Sequence, residues 1–139
     1  MAISQALCTS FKSELLGGTH DLDTDVIKIA LFTSSATLGA STTAYSVTNE
    51  VSGTGYSAGG NTLANVAISV DGTTAIVDCD DTTWTSATIT ANGALIYNSS
   101  KSDKAIAVLA FGGDKTSTNG DFTIQFPAAA AATALIRIA

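Results

Sequence analysis

The stretch Asn49–Gly60, NEVSGTGYSAGG, decides between two architectures. Gly53, Gly55 and Ala58 fit the G-x-G-x-x-G/A pattern of dinucleotide-binding loops. Such a loop needs a strand before its first glycine and a helix after its last, so that amides and helix dipole meet a pyrophosphate. Neither flank is present. Ser52 follows loop residues, and the segment after Gly60 alternates apolar and polar residues like a strand. The reading is therefore a glycine-rich loop in a β protein, with Glu50, Val51 and Tyr56 as the side chains that anchor it. No cofactor is expected.

Working outward, the rest of the chain agrees. Leu63 to Val70 alternates, and Asp71-Gly72 is a tight-turn dipeptide that leads into Thr74 to Cys79. Val26 to Phe32, Thr83 to Thr90, Ala94 to Tyr97 (after Asn92-Gly93), Ala105 to Phe111, Phe122 to Phe126 and Leu135 to Ile138 read as further strands. Ala105 to Phe111 is apolar enough to be buried on both faces. Pro127 follows a strand, where a missing N–H does least harm. About eight short strands predict a mainly β domain, an antiparallel sandwich or barrel. One amphipathic helix precedes them over residues 1–18. Its stripe is Ile3, Leu7, Phe11 and Leu15, and Gly17-Gly18 ends it. The whole chain, 1–139, reads as one domain: this helix, then a β domain over 24–139. Its long irregular loop, 34–60, hides a short strand around Tyr45 to Thr48.

Composition limits function. Of 139 residues, 13% are charged, about half the share usual in soluble domains. Ser and Thr supply roughly a quarter of the chain, well above ordinary usage. A hydroxyl-rich surface can be covered by a partner with few ions to desolvate. The net charge of −6, without a basic run, argues against nucleic acid or an anionic membrane as direct partners. No segment has the run of about 20 apolar residues that spans a bilayer. Cys8 and Cys79 are expected as reduced, buried thiols. The N-terminus lacks a secretory apolar run, and Gln5 stands where a lipobox wants Leu.

Chemical motifs fail in their details. Asp21, Asp23 and Asp25 imitate the start of an EF-hand loop, but Val26 and Phe32 stand where its Gly and Glu belong. A looser cation site at this turn stays open, as does one at Asp78, Asp80 and Asp81. The bland reading of each is a solvated acidic turn or strand end. His20 is the one histidine, and neither a Gly-x-Ser-x-Gly elbow nor a second acid/base group accompanies it. A dyad with Cys8 would need Cys8 off the helix's inner stripe. Trp84, Tyr45, Tyr56 and Tyr97 could form a sugar-stacking surface, although core packing is the default for a strand tryptophan. No catalytic and no metal-binding residues are assigned.

The blocks SFKSELLGGTHDLDTDVIKIALFTSSATL, YSVTNEVSGTGYSAGGNTL, WTSATITANGALIYNSS and VLAFGGDKTSTNGDFTIQFP cover nearly the whole chain. They resemble small virion proteins of tailed bacteriophages, specifically capsid decoration (cement) proteins. The resemblance implies a non-enzymatic structural protein, made in the host cytoplasm and bound to the outer surface of the capsid. The partner would be the major capsid protein, and the chain itself would form a homo-oligomer, a trimer by preference. The alternative is a tail or head-fibre subunit, or a receptor- or glycan-binding module. Phe11, Leu15, Glu50, Val51 and Tyr56 are the expected contact residues.

Overall fold

A computed structural model describes residues 2–139. The chain runs β1 (Ala6–Leu7), α1 (Thr9–Leu16), β2 (Ile27–Phe32), β3 (Asn61–Thr62), β4 (Ala67–Asp71), β5 (Thr74–Asp78), β6 (Thr82–Asn98), β7 (Lys104–Ile124) and β8 (Ile136–Ile138). Two antiparallel sheets result, one in the order β1-β7-β6-β2-β3 and one in the order β4-β5-β8. The mainly β reading holds, with one α-helix. The barrel alternative does not, because both sheets are open.

The spine of the molecule is a ribbon that the sequence divides into four pieces. β6 runs unbroken for 17 residues and β7 for 21. Asn92-Gly93 is not a turn between strands. A Cβ on Gly93 would come within 2.6 Å of the Leu109 carbonyl oxygen and 2.7 Å of Ile3 Cγ2. Glycine is there to let the N-terminal segment and β7 approach the backbone. The irregularity falls on the partner strand: Ala91 pairs with Lys115 and Gly93 with Ala110, so Phe111–Asp114 bulges opposite Asn92. Asn92 Nδ2 donates to Asp114 Oδ1 across this bulge at 3.0 Å. Bulges bend a long strand without ending it. Of the run expected to be buried on both faces, Ala105–Val108 is buried beside β2 and β6, while Leu109, Ala110 and Phe111 are half-buried.

The helix is half its expected length. Ala6 and Leu7 are extended and pair with Val108 and Ala107, and Cys8 N donates to the Ile106 carbonyl. A short helix is marginal alone, and the open edge of β7 offers ladder hydrogen bonds that a longer helix would forgo. α1 ends as the glycines predict. Gly18 sits at φ +80°, and the Gly18 and Thr19 amides close back on the Leu15 and Glu14 carbonyls. Phe11 is 1% exposed and joins one continuous core with Ile29, Leu31, Phe32, Leu95, Ile96 and Ile106.

Asp71-Gly72 does make the hairpin, with Asp71 opposite Thr74 and Gly72 at φ +64°. The strand expected at Tyr45 to Thr48 reduces to a single bridge between Ala44 and Lys104.

Candidate functional site

The segment from Thr33 to Gly60 has almost no regular structure, yet it is tied down along its length. Its backbone is fastened first: Val51 N donates to the Leu31 carbonyl, Tyr45 N to Asp103, and Thr88 N to Thr54. Gly60 is forced by packing. It sits at φ +76°, and a Cβ there would fall 1.8 Å from the Ile29 carbonyl oxygen.

At the centre lies the Glu50 carboxylate. Oε1 accepts from the Tyr45 hydroxyl, and Oε2 accepts from the Tyr56 hydroxyl at 2.6 Å and from Gly59 N at 2.8 Å. Tyr56 Oη in turn accepts from Leu31 N at 2.8 Å, joining the loop to β2. Tyr97 donates to the Gly59 carbonyl at 2.7 Å and stacks on Tyr45, the ring centroids 4.6 Å apart. Burial, and next the Glu50 carboxylate, push the Tyr45 and Tyr56 phenols well above their ordinary range. Burial pushes the Tyr97 phenol up to about 12, with Asp103 and Glu50 adding to it. All three therefore act as neutral hydrogen-bond donors, Tyr45 and Tyr56 to the Glu50 carboxylate and Tyr97 to the Gly59 carbonyl, an arrangement that fixes a loop.

A second polar chain holds α1 and the turn after it to the tip of the ribbon. Asn98, fully buried, donates from Nδ2 to Asp25 Oδ2 at 2.8 Å and to His20 Nδ1 at 3.0 Å. With Nδ1 accepting, the neutral ring carries its proton on Nε2 and gives it to Glu14 Oε1 at 3.0 Å. Lys101 closes the far end on Asp25 Oδ1 at 3.0 Å. Asp25 is held well below the usual carboxylate range, at about 2. The Asn98 hydrogen bond is the largest cause, and the Asp21 amide and Lys101 add to it against a desolvation cost.

These contacts decide several expectations. Both His20 ring nitrogens are engaged, and Cys8 Sγ points to the Gly39 carbonyl, so the two do not form a dyad. Burial raises the Cys8 thiol to about 11 and the Cys79 thiol to about 12, the state of unreactive core cysteines. Both are free and buried, as the composition suggests. Asp25 spends its oxygens on Asp21 N, Asn98 and Lys101. Asp80 accepts from Asn65, and Asp81 accepts from the Phe126 amide. Among the described residues no group of three or more acidic, His or Cys side chains converges as a metal site. Trp84 and Tyr97 are buried at 4% and 2% exposure, so the four aromatics do not form an exposed stacking surface.

Of the expected contact residues, Glu50, Val51 and Tyr56 come together, but facing inward. Val51 is 4% exposed, and the Tyr56 ring packs toward Trp84 with centroids 5.8 Å apart. Phe11 is core, and Leu15 is half-buried at a groove between α1 and β8. In the structure Phe11, Val51 and Tyr56 make their contacts within the chain. Tyr45, Gly59 and Tyr97 around Glu50, and the His20–Asn98–Asp25 chain, meet only in the fold. Their sequence separations, up to 78 residues for His20 and Asn98, give no local signal.

What the loop and the outer ribbon present to solvent is hydroxyl. Thr83, Thr85, Thr88 and Thr90 of β6 and Thr116, Thr118 and Thr123 of β7 are exposed, flanked by Ser52, Thr54 and Ser57 of the loop. Thr83 bonds Thr123, and Thr90 bonds Thr116, each at 2.9 Å. Across residues 82–90 and 116–124 the one charged residue is Asp121. No protein-family model matches the chain, and no curated protein or solved structure matches it. Among the described residues no helix is long and apolar enough to cross a membrane.

Proposed function

We propose that this chain is a non-enzymatic virion structural protein that decorates the outer capsid surface of a tailed phage and braces the major capsid protein. The observation that carries the reading is the pairing of a nearly uncharged, threonine-rich ribbon face with a loop fixed in advance by Glu50. Covering such a surface strips few ions of water. A loop already ordered adds little entropy cost on binding. Attachment in many copies then turns a modest contact into a firm hold. The sequence blocks that resemble decoration proteins include both the loop and the outer ribbon.

Cryo-electron microscopy of the virion that carries the chain tests this directly. Density on the capsid exterior is the expected result, and density confined to the tail overturns it. Thr85→Glu with Thr118→Glu, both exposed, should lower occupancy on isolated shells without unfolding the chain. Full occupancy by that variant would move the contact away from the threonine face.

A further inference from the structure

The small sheet exposes a strand edge of a kind that proteins usually protect. β4 pairs with β5 alone among the described residues, so its outer edge is open. All five of its residues are exposed. Native edges are blunted by short strands, lysines or prolines. The terminal strands of the sheets elsewhere follow that rule: β1 and β3 are two residues long, and β8 is three residues long and carries Arg137, although β7 beyond Val108 also lacks an outer ladder partner. β4, Ala-Ile-Ser-Val-Asp, is longer, has no lysine or proline, and carries its one charge, Asp71, only at its turn end.

The face attached to that edge is apolar. In the observed register Ile68 stands beside Val77 and Ile136, and Val70 beside Ala75 and Ile138. Directly opposed residues share a face, so these six side chains form one apolar surface. It is incompletely covered: Ile68 is 51%, Ile138 54% and Val70 70% exposed. These three are half of the exposed large hydrophobic side chains among the described residues.

We infer that β4 pairs with β4 of a second copy of this chain, antiparallel about a twofold axis at Ser69. The register follows from the sequence of the strand. With Ser69 opposite Ser69 of the copy, Ile68 stands opposite Val70 and Ala67 opposite Asp71. Ile68 and Val70 then meet on the apolar face, and no carboxylate faces a carboxylate. Shifting the register by one residue would set Ile68 against Ser69 and break the face. The paired sheets become one six-stranded sheet whose apolar face runs unbroken from Ile136 through Val77 and Ile68 into Val70, Ala75 and Ile138 of the copy. The contact is isologous, so it closes at two chains. It does not depend on the capsid reading, and it departs from the trimer that the resemblance implies.

Register-specific cross-linking of the full chain tests the pair. In an antiparallel pair, opposed Cα atoms lie about 4.5–5.5 Å apart, within the span of a disulfide. Ser69→Cys, exposed and so tolerant, should cross-link to a species of twice the chain mass under mild oxidation. Ala67→Cys should not, because its copy lies about 14 Å away along the strand at roughly 3.4 Å per residue. Cys8 and Cys79 are buried, which keeps the background low. The wild-type chain should sediment at twice its monomer mass, and Ile68→Lys with Val70→Lys at the monomer mass. A wild-type monomer or trimer overturns the proposal, and so does cross-linking by Ala67→Cys in preference to Ser69→Cys.

Discussion

The five-stranded sheet ends on each side in a two-residue strand, and the inner halves of β6 and β7 are buried beside β2. The three-stranded sheet ends in a five-residue strand with every side chain exposed. Both sheets come from the same hydroxyl-rich, charge-poor composition. What separates them is the use of the irregular segments. The N-terminal residues and the long loop are spent on the large sheet, where β1, the Ala44 and Glu50 bridges and the Tyr45–Glu50–Tyr56 clamp close it. Among the described residues β4 has no second ladder partner, and beyond β5 its one hydrogen bond is from the Ala131 amide to the Asp71 carboxylate. One half of the molecule is finished within the chain, and the other is left to be finished by pairing.

The most damaging way to break the closed half is Phe11→Asp. The ring is 1% exposed, with the His20 ring 5.0 Å from it. An unpaired carboxylate there should cost about 4 kcal/mol or more. Thermal melting reads this as a large fall in Tm, and an unchanged Tm would mean that α1 does not pack. Gly60→Ala comes next. Its new methyl would overlap the Ile29 carbonyl, and relieving that overlap should cost about 3 kcal/mol. A neutral result in denaturant melts would show that the loop can lift from β2 freely.

Glu50→Gln tests the clamp more finely. A neutral amide cannot accept equally from two phenols and the Gly59 amide, so partners are left unpaired at about 1–3 kcal/mol. Hydrogen exchange should speed up for amides 51–60 while those of β6 and β7 stay protected. Uniform acceleration would mean that the loop and the ribbon open as one unit. Asp25 supplies a pH signature. Its carboxyl titrates at about 2 in the fold against about 3.9 unfolded, so its contribution is complete above pH 4 and lost as the pH falls through 2. Wild-type stability should therefore drop more steeply between pH 4 and 2 than that of Asp25→Asn. Parallel curves would show that the Asn98–Asp25–Lys101 contacts contribute little.

The sequence was legible where the signal was local. Alternation placed β4 and β5, Asp71-Gly72 placed their turn, and the residues after Gly60 read as strand where β3 begins. It misled where tertiary contacts overrode local pattern. Asn92-Gly93 looks like a hairpin turn, yet Gly93 serves the close approach of Ile3 and Leu109. The four-residue spacing of Ile3, Leu7, Phe11 and Leu15 suits a helix throughout, yet the free edge of β7 draws the first half into a strand. The candidate loop was visible as glycine-rich and anchored by Glu50 and Tyr56. The direction of those anchors was not, because Tyr45, Leu31 and Tyr97 reach Glu50, Tyr56 and Gly59 only in the folded chain. No periodicity encodes that meeting.

The smallest expected effect sharpens the comparison from the open side. Leu16 is the last residue of α1 and is 91% exposed, beside the groove that Leu15, Ile136 and Ile138 also line. Within a helix whose Phe11 is core, the same kind of apolar side chain here touches mostly water. Leu16→Ser should change the unfolding free energy by no more than about 0.5 kcal/mol, the range for surface sites that make no special contact. It should also leave the β4 pairing intact, because Leu16 lies outside the Ser69-centred register. A loss well above that size in dilute solution would mean that a segment of the chain itself covers this face. A loss that appears only as concentration rises would mean that the contact between copies extends past β4 onto α1.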